Sequence, residues 1–138
     1  MGAFMETATI TWRGEQRFAA IGQSGHEVVF DSESKTAAGP METVLMALGA
    51  CTATDIVIIL EKKRQKMEAL EVVCSGERAA DPPRVWVKLD VLFRVRGKVE
   101  DAAMQRAMEL TKEKYCSVAA MLKKTAEMTW HYEIIAGK

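Results

Sequence analysis

One long apolar segment constrains the fold of this chain more than any other feature. The residues from Val44 to Leu60 are almost all apolar, and the charged sequence EKKR follows them. Pro40 suits the first turn of a helix, where its missing N–H has no partner to lose. A helix from Pro40 to about Lys66 would be on the order of 35 Å long. That is long for a chain of 138 residues, so we expect part of the helix to pack outside one compact subunit.

The same segment raises the question of a membrane span. A span needs roughly 20 apolar residues, whereas this run is interrupted by Gly49, Thr52, Thr54 and Asp55. A charged residue inside the bilayer is costly. The sequence therefore favours a buried core helix and no membrane association.

Composition excludes several classes of protein. Nineteen basic and nineteen acidic residues cancel, so there is no basic excess to indicate nucleic-acid binding. The N-terminal sequence MGAFMETATITW does not look like a signal peptide, and three cysteines do not make a secreted disulfide scaffold. We expect a cytoplasmic protein with one domain over residues 1–138.

The remaining segments read as short strands and helices. The sequence alternates threonine with apolar residues near its start, and three short strands with short connections suggest an antiparallel meander. In chain order the pattern predicts strands over Glu6–Trp12, Gln16–Ile21 and His26–Phe30, the long helix, strands over Leu70–Glu77 and Val85–Val95, helices over Val99–Lys114 and Lys114–Lys124, and a strand over Glu127–Ile135. Segregated elements of this kind indicate an α+β fold.

Three cysteines, Cys51, Cys74 and Cys116, have the most distinctive chemistry. Cys116 lies at the start of a predicted helix, where the helix dipole favours a thiolate, so local sequence predicts that it ionises more easily than Cys51. Asp55 lies one turn after Cys51 on the same helical face and, when ionised, should raise the pKa of that thiol. Inert packing is the alternative for each cysteine, and the one we expect for Cys74.

No motif indicates a bound metal or cofactor. The sequence has no CxxC, GxGxxG, Walker A, GxSxG or HExxH, and His26 and His131 are far from the cysteines along the chain. We therefore expect neither a metal site nor a cofactor.

Taken together, these residues resemble the OsmC/Ohr family over nearly the whole chain. GPME at residues 39–42 resembles the family's helix start, Cys51 falls at its first cysteine, and YCSVAAML at residues 115–122 resembles the segment with its second cysteine. The 64 residues between Cys51 and Cys116 also suit the family. The runs TDIVIILEKKRQ and EKYCSVA resemble one branch, the YhfA-like proteins.

The resemblance implies an intertwined homodimer, in which antiparallel sheets wrap around a pair of long central helices. It also implies reduction of organic hydroperoxides in defence against oxidative stress. Cys51 would attack the peroxide and become a sulfenic acid, and Cys116 would resolve it as a disulfide. A dithiol reductant, either a lipoyl protein or a thioredoxin-like protein, would then reset the pair.

Two positions depart from the family pattern. The family's catalytic glutamate directly follows the proline, where this chain has Met41. Glu42, our candidate for that catalytic role, comes one place later at a different helical angle. The arginine that pairs with the thiolate has no clear counterpart; the candidate cations are Lys35 and Arg17, and lysine lacks the bidentate fork of arginine. Two alternatives therefore stay open: a non-enzymatic dimer that binds a small apolar or thiol ligand, and a redox-sensing dithiol.

Overall fold

The structure, a computed structural model, describes residues 5–138. The first four residues of the predicted domain, and of the N-terminal sequence MGAFMETATITW, lie outside this range. The elements are, in chain order, β1 (Thr9–Trp12), β2 (Arg17–Ile21), β3 (Glu27–Asp31), α1 (Pro40–Lys62), β4 (Lys66–Arg78), β5 (Trp86–Lys98), α2 (Asp101–Leu110), a π-helical turn (Thr111–Tyr115), α3 (Ser117–Leu122) and β6 (Glu127–Ile135). The α+β class is confirmed.

The described chain forms two compact units, and their boundary falls inside α1. One unit ends at Val44 and the other runs from Leu45 to Lys138. Each unit holds one three-stranded sheet. A single domain over residues 1–138 stays a prediction.

The first unit is built on the predicted antiparallel meander, with strand order β1-β2-β3. Trp12 pairs with Phe18, which in turn pairs with Phe30 on the third strand. β1 begins at Thr9 rather than Glu6, because Thr9 pairs with the last residue of β2 and the ladder extends no further. Its aromatic side is open in one chain, since Trp12 is 67 % exposed.

The long helix α1 ends four residues earlier than the sequence predicts. Arg64 has a positive φ of 56°, and the N–H of Gln65 donates to the carbonyl of Leu60 at 3.0 Å. These features are those of a Schellman motif, which satisfies the last carbonyls of a helix and turns the chain away. Helix α1 therefore stops at Lys62, and Lys66 already belongs to β4.

The sheet of the second unit has the strand order β4-β5-β6 and is mixed. β4 and β5 pair antiparallel, whereas β5 and β6 pair parallel. The prediction of antiparallel sheets is thus right for the first sheet and for β4 with β5, and wrong for β6. The physical reason is the connection: residues 99–126 form a helical crossover that returns the chain to the end of the sheet where β5 began.

The core of the second unit lies between this sheet and the helices. Alternate residues of β5 are buried, which matches the predicted alternation, and they pack with buried residues of α1 and α2. The main members are Leu48, Ile56, Leu60, Leu89, Val91, Phe93, Val95, Met104 and Ala107. Full burial of each large apolar side chain stabilises the fold by about 1.5–3 kcal/mol.

Helix α1 is buried on one face only. Met46, Ala50, Thr54 and Ile58 follow one another at four-residue intervals and are exposed; we call these four residues the open α1 face. By length and composition α1 is able to cross a membrane, with a mean hydropathy of 2.1 over its most apolar 18 residues, of which 22 % are buried. The predicted core helix therefore presents a largely apolar side that one chain does not cover.

Candidate active site

Two thiols and a carboxylate meet in the second unit. Cys51 and Asp55 lie on α1, one turn apart, and Cys116 is the residue just before α3. The two sulfur atoms and a carboxylate oxygen of Asp55 all lie within 4.8 Å of one another. The prediction that Cys51 and Asp55 share a helical face is confirmed. The fold also brings Cys51 next to Cys116, although 64 residues separate them in sequence.

The position of Cys116 is set by the turn that precedes it. Helix α2 ends at Leu110, and the chain continues as the π-helical turn, so the predicted helix to Lys114 is interrupted. The N–H of Cys116 donates to the carbonyl of Thr111 at 3.1 Å, and the backbone then becomes extended. The sulfur of Cys116 accepts a hydrogen bond from the N–H of Ala119 at 3.3 Å and so caps α3.

Burial makes Cys116 difficult to ionise. Its side chain belongs to the core, with the residue only 3 % exposed. Burial raises the pKa of Cys116 to about 12, against the smaller opposite effect of the hydrogen bond from Ala119. The prediction that Cys116 ionises more easily than Cys51 is wrong, because desolvation outweighs the local helix dipole.

Cys51 is the thiol whose surroundings favour ionisation. Burial opposes the thiolate, but hydrogen bonds from the Val118 N–H and from the side chains of Cys116 and Ser117 give Cys51 a net lowered pKa. The Cys51 sulfur lies 4.0 Å from the Ser117 hydroxyl oxygen. The first turn of α3 thus donates hydrogen bonds to Cys51 as well as to Cys116.

Asp55 is a half-buried residue, and one of its two carboxylate oxygens has no polar partner. Its Oδ2 atom is buried and has no hydrogen-bond partner, and no ion pair within residues 5–138 includes it. Burial raises the pKa of Asp55, and its negative charge in turn raises the pKa of Cys51. The predicted electrostatic opposition between Asp55 and Cys51 is therefore present, but weaker than the hydrogen bonds that favour the thiolate.

A cavity of about 490 Å³ begins at Asp55. Its wall is mainly apolar, and an aspartate, two lysines and a tyrosine supply the polar groups. The lining residues are Asp55, Ile58, Ile59, Lys62, Lys63, Leu110 and Tyr115. Its size and apolar wall suit a small organic molecule.

The other predicted site residues belong to the first unit, and two of them have side-chain partners there. Glu42 accepts a hydrogen bond from the Gly39 N–H at 3.1 Å, which is the glutamate half of a capping box at the start of α1. Lys35 pairs with Glu33 at 2.7 Å. Arg17 is exposed on β2. Their predicted roles next to Cys51 stay predictions.

The third cysteine stands apart from this cluster. Cys74 is half-buried in β4 on the side that faces α1, where its sulfur lies 3.4 Å from the position that a side chain at Gly49 would occupy. Burial, helped by the charge of Asp90, raises the pKa of Cys74. These properties suit the predicted inert packing.

Sequence reasoning missed Ser117 and the N–H of Val118. The signal was present in YCSVAAML, since a short helix that starts after Cys116 must leave free N–H groups in its first turn. Their target was not visible, because only the tertiary fold sets that turn against Cys51.

The fold and site define a class: α+β proteins with a long apolar helix that places one thiol next to a second. The OsmC-like protein family matches residues 32–131, and the chain belongs to that family. It is 42% identical to protein YhfA of Escherichia coli K12 over 131 residues, which cover 94% of this chain and 98% of YhfA. The predicted resemblance to the OsmC/Ohr family is confirmed.

Solved structures agree with this assignment. A hypothetical protein from Aquifex aeolicus VF5 is 27% identical with a TM-score of 0.90, over 99% of this chain and all of that one. The organic hydroperoxide resistance protein OhrB of Bacillus subtilis shares the fold at 12% identity, with a TM-score of 0.67 over 94% of this chain and 98% of OhrB. Helix α1 is therefore the long helix of an OsmC-like fold.

Proposed function

We propose that the protein is a thiol-dependent peroxidase that reduces organic hydroperoxides in defence against oxidative stress. Cys51 is the attacking thiol and Cys116 the resolving thiol. The observation that supports this is the pair itself: two sulfurs within 4.8 Å, with the pKa of Cys51 lowered and that of Cys116 raised to about 12. When the pKa values of two neighbouring groups shift in opposite directions, the two groups take different roles. Here the thiol with the lowered pKa attacks, and the thiol with the raised pKa resolves.

The first step is attack by the Cys51 thiolate on the distal oxygen of the hydroperoxide. The O–O bond breaks, a sulfenic acid forms on Cys51, and the alkoxide leaves and takes up a proton to become the alcohol. The apolar wall of the cavity beside Asp55 suits an alkyl substituent on the peroxide. A partly dry site also protects the sulfenic acid from side reactions.

The second step is attack by Cys116 on the sulfenic sulfur. Burial is the main cause of its raised pKa, but the Cys51 thiolate adds to it by charge. Conversion of Cys51 to a neutral sulfenic acid removes that charge, so Cys116 becomes easier to ionise only after the peroxide has reacted. The S–S bond then forms and water leaves.

A dithiol reductant, a lipoyl or thioredoxin-like protein, completes the cycle. Its thiolate attacks one sulfur of the disulfide, and its second thiol releases the mixed disulfide. Cys51 is the more accessible sulfur, since it is half-buried and Cys116 is buried. Attack at Cys51 is therefore the expected route.

The working form in this proposal is a homodimer. The open α1 face and the aromatic side of the first sheet are exposed in one chain, where Trp12 is 67 % and Met46 is 54 % exposed. Exposed apolar surfaces on either unit mark candidate protein interfaces. Two paired α1 helices would cover the open α1 face of each chain.

The experiment that tests the proposal is the rate at which the reduced protein consumes an alkyl hydroperoxide. A fast rate that is lost in Cys51→Ser is the expected result. The matched control is Cys74→Ala, which removes a cysteine outside the cluster and should leave the rate unchanged. A wild-type rate no faster than that of a free thiol, or turnover that survives in Cys51→Ser, would contradict the proposal.

A redox-sensing or ligand-binding dimer is the second candidate. The observation that favours it is Asp55, whose half-buried carboxylate lies next to Cys51 and has no ion-pair partner among residues 5–138. That charge slows thiolate formation. A disulfide between Cys51 and Cys116 that forms without fast peroxide consumption would favour this candidate.

A further inference from the structure

We propose that Cys51, Asp55 and Cys116 form a binding site for a thiol-preferring divalent metal ion of the zinc type in the reduced protein. The three ligand atoms lie within 4.8 Å of one another. This inference does not depend on peroxidase activity. It concerns a second use of the same side chains.

The donor set selects the class of metal. Two sulfurs and one carboxylate oxygen suit Zn²⁺ and its analogues, whereas Mg²⁺ and Ca²⁺ need oxygen ligands only. In a tetrahedral zinc site, with Zn–S about 2.3 Å and Zn–O about 2.1 Å, two ligands stand roughly 3.5–3.8 Å apart. Side-chain movements of about 1 Å would therefore bring these three atoms around one ion.

The charges of the cluster favour a dication. Asp55 Oδ2 is buried and without a hydrogen-bond partner, and buried polar atoms of this kind call for an explanation such as a bound ion. A metal binds cysteine as the thiolate, so binding places the negative sulfur of Cys51 within 4.8 Å of the Asp55 oxygen. No ion pair among residues 5–138 offsets either group. A divalent ion would neutralise both charges and supply a partner for Oδ2.

The site would be open rather than closed. Three protein ligands leave a fourth tetrahedral position, as in zinc sites that bind water or substrate. Asp55 also lines the cavity of about 490 Å³, which has room for a water molecule or a small ligand.

The test is an anaerobic titration of the reduced full-length protein with Co²⁺, without peroxide. The expected result is one ion per chain, with thiolate-to-cobalt charge-transfer absorption and the visible bands of a tetrahedral site. Zn²⁺ should abolish both signals by displacement. Failure of the peroxidase proposal would not affect this readout, since no turnover is measured.

Two variants and one control make the test specific. Asp55→Asn is close in size and should weaken Co²⁺ binding at least about tenfold, and Cys116→Ser should lose about half of the charge-transfer intensity, because one of two thiolates is removed. Cys74→Ala should bind like the wild type. Circular dichroism checks that each variant is folded.

A second readout avoids substitutions. Zn²⁺ should protect Cys51 and Cys116 from alkylation in the wild-type protein and leave Cys74 unprotected, as mass spectrometry of the labelled peptides would reveal. Absence of charge-transfer absorption, or full affinity in Asp55→Asn together with equal protection of all three cysteines, would overturn the proposal.

Discussion

The sulfur of Cys116 accepts a hydrogen bond from the N–H of Ala119 at 3.3 Å. The same sulfur lies within 4.8 Å of the sulfur of Cys51. Cys116 thus has a structural role as the N-cap of α3 and a proposed chemical role as the resolving thiol. Variants at this position must be chosen so that the two roles separate.

Cys116→Ser should keep the cap and remove the thiol, because a serine hydroxyl is a good N-cap acceptor. We expect this variant to be more stable than Cys116→Ala, which lacks the cap, and to undergo a single reaction with peroxide that leaves a trapped sulfenic acid. Cys116→Ala should lose the cap and about 1 kcal/mol. Urea unfolding and mass spectrometry measure the two effects. Equal stability of both variants would argue against the capping role.

Alkylation of the thiols should depend on pH in a fixed order. The lowered pKa of Cys51 means that its thiolate forms first, whereas Cys116, with a pKa of about 12, stays protonated until strongly alkaline pH. Iodoacetamide rates, followed by mass spectrometry for each cysteine-containing peptide, measure this. Cys74 serves as the internal reference because burial raises its pKa. Faster labelling of Cys116 than of Cys51 at neutral pH would contradict the assignment.

Asp55→Asn should stabilise the protein at neutral pH. The pKa of Asp55 is raised above its ordinary 3.8 by burial, so its protonated form suits the fold, and this stability is lost as the pH rises through the folded-state pKa. We expect a gain of up to about 1 kcal/mol at pH 7, discounted because the side chain is only partly buried, and less at pH 4. Urea unfolding at both pH values measures the difference. A larger gain at pH 4 would have the wrong sign.

Glu42 can be tested for catalysis and capping separately. Glu42→Gln keeps a side-chain oxygen for the Gly39 N–H and is expected to retain stability, since glutamine also serves in capping boxes. Glu42→Ala should lose about 0.5–1 kcal/mol. If Glu42 is also catalytic, as predicted, Glu42→Gln should lower kcat/KM for peroxide reduction while the unfolding midpoint stays constant. If Glu42→Gln keeps the wild-type kcat/KM, Glu42 has a capping role and no catalytic role.

The proposed homodimer should depend on the open α1 face. Met46→Glu places a charge on this face and should convert dimers to monomers in analytical ultracentrifugation, because an unpaired charge in an apolar interface is costly. Val73→Glu is the matched control, since Val73 is an exposed apolar residue on β4, away from α1. Dissociation by both variants, or by neither, would argue against pairing through α1.

Much of the fold was predictable because it follows from local patterns. The alternation of apolar and polar residues in β5 predicted which of its faces is buried. Pro40 marked the start of α1, and Glu127–Ile135 was predicted correctly as the last strand. The end of α1 was not predictable from periodicity, because the Schellman turn at Arg64 leaves no glycine signal in the sequence. The parallel pairing of β6 depends on a crossover, which strand patterns do not encode.

For the site, the sequence by itself determined which side chains are available: Cys51 and Asp55 on one helical face, and Cys116 at a helix start. Only the tertiary structure decided their ionisation. It buried Cys116, whose pKa rises to about 12, and set the first turn of α3 against Cys51, whose pKa falls. Local sequence fixes helix dipoles and spacing, whereas desolvation depends on what packs around a group, and here desolvation outweighs the dipole.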